Sequence, residues 1–343
     1  MGRADNRPMR LPPKFIGPAS ALVTILIWTS FIVVARASAS LSLNPMDIVF
    51  ARLLGAALVL LPWGWYLVRQ QRRNRPDAPG AARISSFFGL SPLPLRTTVL
   101  IGSVGGVFHS MLSYSGFFFA PAAHASVLLP GSLPMWTALL TVFLLREQIP
   151  GPRLFGLALI LLGVLLVGGR SLLEAFSGGD TWKGDLLFLG AGLSWSCYAV
   201  LARKHRLDAV RATIAVSVFA FVVFTPGYLL AVATGLLPSR LLAAPLSEVL
   251  LQAAFQGIVS VAISGITFTT MVRHFGPVRS TMMTALVPGL SALAAVLFLG
   301  EPLGWNLMLG LIVVTLGMLF GLRAGAVVPV EPRAKNAAAA ASG

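Results

Sequence analysis

The chain has few charged residues and a single cysteine. Only 11% of its 343 residues are Asp, Glu, Lys or Arg, whereas soluble domains usually contain about 25%. This scarcity of charge excludes an ordinary water-soluble fold for most of the chain. The single cysteine, Cys197, excludes an internal disulfide framework.

Motifs of catalysis and cofactor binding are also missing. The histidines His109, His124, His205 and His274 do not have the spacing of metal ligands. There is no nucleophile elbow and no phosphate-binding loop. These absences make a membrane enzyme the most distant alternative, and we expect no cofactor and no metal.

The charge that is present is mostly basic, with a formal net charge of +15. Nucleic acid is not an expected partner, because no basic face carries interleaved aromatic residues. Lys and Arg instead cluster in alternate loops, mainly before residue 15, between 69 and 96, and between 203 and 211. By the positive-inside rule these loops and both termini face the cytoplasm. We therefore expect a multi-pass protein of the bacterial inner membrane, surrounded by lipid.

Uncharged runs long enough to cross a bilayer recur along the whole chain, of which 56% is hydrophobic. A membrane-spanning helix needs about 20 apolar residues. On this basis the expected fold is an all-α integral membrane protein with ten transmembrane helices. They are predicted at 18–36, 46–68, 97–119, 124–145, 153–169, 184–203, 211–234, 249–271, 280–299 and 305–322.

The second half of the sequence repeats the first. At an offset of 154 residues, "LPMWTALLTVFLLRE" (133–147) aligns with "VPGLSALAAVLFLGE" (287–301). The aligned pairs are Ser126 and Ser280, Pro134 and Pro288, Ala138 and Ala292, Glu147 and Glu301, Gly156 and Gly310, and Gly163 and Gly317. At an offset of 167, Trp28 aligns with Trp195. Since five spans is an odd number, the two five-helix repeats must be inverted, which is the architecture of alternating access.

The expected domain boundaries follow from this repeat. A cytoplasmic N-terminal tail occupies 1–17, the first repeat 18–170, a connecting loop 171–183, the second repeat 184–323, and a disordered cytoplasmic tail 324–343. A cleaved signal peptide is disfavoured, because its removal would delete the first span of the first repeat.

Over residues 18–323 this arrangement resembles the drug/metabolite transporter superfamily, EamA type. In each half, a Pro, Ala and Glu pattern precedes two glycines seven residues apart. The resemblance implies that the first, third, fourth, sixth, eighth and ninth spans enclose a central cavity. It also implies that the fifth and tenth spans pack at the periphery. Exporters of amino acids and related metabolites are common among such proteins.

Polar and aromatic stripes indicate which side chains line the cavity. In the third span, small and polar residues recur at helical steps of three and four, and the eighth span repeats this polar face. The predicted substrate-binding residues are Trp28, Gly106, His109, Ser110, Ser113, Trp195, Tyr198, Gln256, Ser260, Ser264 and Thr267. Tight helix packing is the alternative for these stripes, and the two roles can coexist.

Five ionisable residues near the spans have individual interpretations. His109 is expected to bind substrate or carry a proton, with a neutral structural histidine as the alternative. Arg52 is expected to snorkel to the interface, and His124 to be a solvated loop residue. Glu147 and Glu301 are expected to bond backbone amides at the start of the next helix, with gating as the alternative.

The polarity of the spans limits the substrate. No Asp or Glu lies deep in a span, which disfavours cation antiport, and the lack of deep Lys or Arg other than Arg52 disfavours phosphorylated substrates. The expected function is a secondary transporter that exports a small neutral or zwitterionic metabolite, such as an amino acid. Helix termini at Pro130, Pro134 and Pro288 are expected to meet its charged ends. A translocator of lipid or hydrophobic compounds is the alternative, and the sequence does not indicate the oligomeric state.

Overall fold

The structure is a computed structural model that describes residues 13–74 and 85–323. These residues are helical apart from short loops, a 3-10 turn at Phe87–Gly89 and an isolated bridge between Ser86 and Ser91. The first helix begins at Pro13, inside the expected N-terminal tail. The expected C-terminal tail, 324–343, lies outside the described residues.

Ten helices, α1 to α10, follow one another at the ten predicted positions, and several extend beyond the predicted spans. Their bounds are α1 Pro13–Ala39, α2 Pro45–Asn74, α3 95–119, α4 Ala122–Leu145, α5 Gly151–Ala175, α6 Thr181–Lys204, α7 Ala209–Ala233, α8 Leu246–Phe275, α9 Pro277–Leu299 and α10 Trp305–Arg323. Both α3 and α8 contain a π-helical segment, at Ser103–Phe108 and Gln252–Ile263. Such segments are frequent at functional sites, and these two occupy corresponding parts of the two repeats.

Nine of the helices in the described part of the chain are long and apolar enough to cross a membrane, and the exception is α3. Its length suffices, but small and polar residues such as Gly106, Ser110 and Ser113 lower its hydropathy. All three are buried. A helix whose polar face packs inside a bundle does not need an apolar surface all round. The described chain therefore contains the ten predicted helices, although nine of them pass the test of hydropathy.

Helices α5 and α10 show that the two halves are inverted. A Cβ on Gly156 would lie 2.5 Å from the carbonyl oxygen of Gly317, and one on Gly163 would lie 2.8 Å from that of Gly310. Glycine is therefore required for this close approach. As residue numbers rise along α5 they fall along α10, so the two helices are antiparallel. Because α5 and α10 are equivalent in the two repeats, the prediction of inverted repeats is confirmed.

Helices α4 and α9 are also equivalent in the two repeats, and they too pack antiparallel to each other. Ser291 Oγ donates to Ser126 Oγ at 2.8 Å, and the hydroxyls of Thr137 and Thr281 lie 3.0 Å apart. Rising numbers in α4 again meet falling numbers in α9. The pseudo-two-fold symmetry therefore extends from the peripheral helices into the centre of the bundle.

The rings of Trp28 and Trp195 touch at the centre of the bundle, with their centroids 6.0 Å apart. Equivalent residues that contact each other lie on the pseudo-two-fold axis. Since the axis of inverted repeats runs in the membrane plane, we expect this tryptophan pair to lie at the middle of the membrane.

The proline positions differ from the expectation of helix breaks. Pro130 and Pro134 lie inside the continuous helical segment Ala122–Leu140. Among the ten described helices, only α9 is interrupted, between Met283 and Leu286, shortly before Pro288. A proline is tolerated inside a transmembrane helix because neighbouring helices support the freed backbone groups. The prediction of charged substrate ends meeting helix termini at Pro130 and Pro134 is therefore wrong.

Candidate functional site

A cavity with about 490 Å³ of empty space lies against the central tryptophan pair. This space includes the opening of the cavity to solvent. The lining residues are the aromatic Trp28, Phe31 and Trp195, the apolar Ile32, Leu129, Pro130, Leu133 and Val287, and the polar Arg52, His109, Ser260 and Ser264. They come from the six helices that the resemblance implied and, in addition, from α2.

A second cavity of about 410 Å³ adjoins the first, and Arg52, Trp195 and Ser260 line both. Its other walls include residues of α3 and α7. Three further predicted residues line it: Gly106, Ser110 and Tyr198.

Three predicted site residues line neither cavity. Ser113 and Gln256 are fully buried, and neither the Ser113 hydroxyl nor the Gln256 amide has a hydrogen-bond partner in the described residues. The Thr267 hydroxyl lies 2.8 Å from that of Thr24 and joins α8 to α1. Thr267 thus has the packing role that was the alternative for the stripe.

The two tryptophans differ in their polar contacts. Trp28 Nε1 donates to Ser264 Oγ at 2.8 Å, and its ring stacks on Phe268 at 5.0 Å. Trp195 Nε1 is buried and has no partner among the described residues. Buried polar atoms normally have hydrogen-bond partners, so the indole N–H of Trp195 is a donor that a ligand can use.

His109 is fixed at the cavity wall. Its Nδ1 lies 3.2 Å from the carbonyl oxygen of Ala191, and its ring centroid is 4.8 Å from that of Trp195. Because a carbonyl only accepts, Nδ1 carries the proton in this contact. Nε2 is then the ring nitrogen available to a ligand.

Arg52 is one of the residues that sequence reasoning placed wrongly. It is 6% exposed and lines both cavities, so it does not snorkel to the interface. Its Cζ lies 5.3 Å from the ring centroid of Tyr114 and 5.9 Å from that of Phe31. Its Nε and Nη1 atoms have no hydrogen-bond partner in the part of the chain described.

A close helix contact explains why Arg52 remains inside. A Cβ on Gly55 would lie 2.0 Å from the carbonyl oxygen of Ala253, and one on Gly257 would lie 2.6 Å from that of Arg52. Helices α2 and α8 thus meet backbone to backbone beside Arg52. Arg52 is seven residues from the start of α2, about 10 Å along the helix, and its isolated position in an uncharged run was the only sequence signal.

Comparison with known proteins fits a bundle of two inverted halves around a central cavity. The sequence profile of the EamA-like transporter family matches residues 15–169 and 182–323. The chain belongs to the EamA-like transporter family.

Individual relatives of this EamA-like transporter are distant. A curated protein of Clostridium kluyveri, named only as an uncharacterized transporter, is 22% identical over 178 residues. The match covers 52% of this chain and 56% of that relative. One solved crystal structure, described only as a protein, covers 90% of this chain and 99% of its own at a TM-score of 0.55 and 18% identity. At this identity the likeness shows the fold alone.

An ion pair joins the two halves at one end of the transporter. Arg36 Nε lies 2.8 Å from Glu301 Oε1, and Arg36 Nη1 donates to the carbonyl of Phe117 at 2.7 Å. Glu301 Oε2 accepts from the backbone N–H of Ala123 at 3.3 Å. Glu301 therefore bonds an amide at the start of α4, and the expected bond to the next helix, α10, is wrong. The charge pattern of the loops predicts that this end faces outward, and it is called the outer end below.

The equivalent residues at the other end are not joined. Arg203 is equivalent to Arg36, and Glu147 to Glu301. Arg203 is exposed and Glu147 partly exposed. Neither forms an ion pair with any residue of 13–74 or 85–323. The expected cap of the next helix by Glu147 is likewise not seen among these residues.

A second polar cluster lies at the same end as the Arg36–Glu301 ion pair. His124 Nδ1 is 2.9 Å from Asp185 Oδ1, and Ser171 Oγ donates to Asp185 Oδ2. The His124 side chain is only 15% exposed, so the expectation of a solvated loop residue is wrong. Over the described ranges, no three His, Cys, Asp or Glu side chains converge to hold a metal ion.

Proposed function

We propose that this membrane transporter moves a small polar metabolite through the central cavity by alternating access, and that it is an exporter. Membership in the EamA-like family gives the transporter class. The mechanism, the direction and the substrate are the proposed part. An inner-membrane location with both termini in the cytoplasm is proposed with them, on the strength of the basic loops.

The observation that carries alternating access is the unequal state of two equivalent residue pairs. Arg36 and Glu301 are joined at one end, whereas Arg203 and Glu147 are apart at the other. Because the halves are inverted copies, each can adopt the conformation of the other. That exchange would separate the first pair and join the second, which would open one end as the other closes.

The polarity of the cavity favours a small polar solute over a lipid. Unpaired buried donors and acceptors surround it, among them Trp195 Nε1 and Ser260 Oγ. A lipid chain would leave these groups unsatisfied, at a cost of about 1–3 kcal/mol each. A neutral or zwitterionic metabolite such as an amino acid can bond them. The eight predicted substrate-binding residues that line a cavity are proposed as its contacts. Ser113, Gln256 and Thr267 line neither cavity and are left out.

Reducible cross-links between pairs of introduced cysteines at the two ends test this function. In a Cys197→Ser background, one variant carries Arg36→Cys with Glu301→Cys and a second carries Arg203→Cys with Glu147→Cys. The transported solute is first identified as the compound whose release differs between cells that overproduce the protein and cells that lack it.

Under alternating access, a short reducible cross-linker should join either pair and stop flux of that solute in liposomes. Reduction of the cross-link should restore the flux. Each single-cysteine variant, treated in the same way, is the control and keeps its flux. Unchanged flux after complete cross-linking of both pairs contradicts the proposal.

A further inference from the structure

Arg52 places a buried positive charge at the substrate cavity. It is 6% exposed, lines both cavities, and forms no salt bridge with a described residue. An isolated buried charge is unfavourable unless it has a counter-charge. Contacts with the rings of Phe31 and Tyr114 offset part of this cost, but they leave Nε and Nη1 without an acceptor.

The buried carboxylates of the described chain are engaged elsewhere. Asp47 accepts from the Tyr228 and Ser239 hydroxyls and from the backbone N–H groups of Asn44 and Arg240. Asp185 bonds His124 and Ser171. No Asp or Glu lines either cavity, so no carboxylate of the described chain supplies a counter-charge to Arg52.

The groups next to Arg52 are also unpaired hydrogen-bond donors. Arg52, Trp195 and Ser260 are the three residues that line both cavities. Each has a buried polar atom without a partner in the described chain: Nε and Nη1 of Arg52, Nε1 of Trp195 and Oγ of Ser260. A carboxylate accepts several hydrogen bonds and donates none, and therefore matches this set.

We infer that the transported substrate carries a carboxylate, which binds Arg52 where the two cavities meet, and an apolar part, which packs on Trp28 and Phe31. This inference rests on the proposed transport function and narrows its substrate. A single guanidinium suits a singly charged carboxylate, whereas a phosphate dianion favours several positive groups. Both a simple monocarboxylate and an amino acid carry the required group.

Binding to the full-length protein in detergent tests the inference without transport. The probes are 3-phenylpropanoate and 3-phenylpropanamide, which differ in charge and are nearly equal in shape, and affinity is measured by calorimetry. We expect the carboxylate to bind at least tenfold more tightly than the amide. Equal affinity, or no binding of the carboxylate, overturns the inference.

Variants of Arg52 assign the preference to this residue. Arg52→Gln should reduce the carboxylate preference to less than twofold, and Arg52→Lys should keep part of it, because the charge remains. Arg69→Gln is the matched control, since Arg69 is an exposed residue of the same helix that stacks on Trp65; it should keep the full preference. A full preference in Arg52→Gln overturns the assignment. If Arg52→Gln does not fold, Arg52→Lys and the wild-type comparison decide.

Flux in liposomes separates this inference from the proposed function. Carboxylate binding without flux of any solute would contradict the transport proposal and leave the Arg52 binding site intact. Flux of an uncharged or cationic solute that carboxylates neither inhibit nor follow would support transport and overturn the role of Arg52.

Discussion

Under the proposed alternating access, the ion pair at the predicted outer end gives the sharpest prediction about conformational balance. Glu301→Gln keeps the shape of the side chain and an acceptor for the Ala123 N–H but removes the charge that faces Arg36. Exposed ion pairs contribute about 0.2–1 kcal/mol, and hydrogen bonds to charged groups about 1.5–3 kcal/mol. The two side chains are 33% and 14% exposed, so we expect an intermediate loss of about 1–2 kcal/mol.

That loss shifts the balance toward the outward-open state by about 5- to 30-fold. The assay follows a reporter, Ser260→Cys in a Cys197→Ser background, by its labelling rate with a membrane-impermeant thiol reagent added from outside. While the outward-open state is minor, the rate is proportional to its population. Glu301→Gln should raise the rate by the same factor, about 5- to 30-fold.

Glu147→Gln is the matched control, because the same change at the equivalent position weakens closure of the opposite end. It should leave the labelling rate unchanged or lower it. The charge exchange Arg36→Glu with Glu301→Arg should return the rate toward that of the reporter alone. If Glu301→Gln does not alter labelling, or both glutamine variants raise it equally, the ion pair does not control the outer end.

Three further variants test packing, cavity and capping. Gly156→Ala should lower the thermal unfolding midpoint in detergent, since its Cβ would meet α10 and overpacking costs about 1–3 kcal/mol; Gly169→Ala, with nothing within 4 Å, should not. Ser260→Leu should abolish flux by filling both cavities, while Thr270→Leu on the same helix, outside the cavity linings, should retain it. Asp47→Ala should cost at least about 3 kcal/mol in the same unfolding assay, because four donors lose their acceptor; an unchanged midpoint contradicts this.

The fold was largely predictable because membrane spans can be recognised in a sequence by their length and hydropathy. The internal repeat then determined the relative orientation of the halves and the equivalence of Trp28 and Trp195, whereas their contact is visible only in the structure. The polar face of α3 could also be predicted from the sequence, because His109 and Ser110 are expected only on a face that avoids lipid. The same stripe kept α3 out of the set of sufficiently apolar helices.

What sequence reasoning missed depends on contacts between distant segments. Whether Arg52 points inward or snorkels is decided by the approach of α2 to α8 through Gly55 and Gly257. Glu301 pairs with Arg36, 265 positions away, and local spacing suggested a neighbouring helix instead. The helical segment of α4 passes through Pro130 without a break. Sequence reasoning missed this because support from adjacent helices does not show in a local sequence pattern.

The glycine seam between α5 and α10 has a consequence for how the chain is assembled. It joins the last helix of one half to the last helix of the other, so the halves hold each other through their own backbones. The short segment between α5 and α6 then links the halves covalently, so that every molecule contains one copy of each half. Two polypeptides made separately, each with five helices, would still contain every surface needed to find each other in lipid.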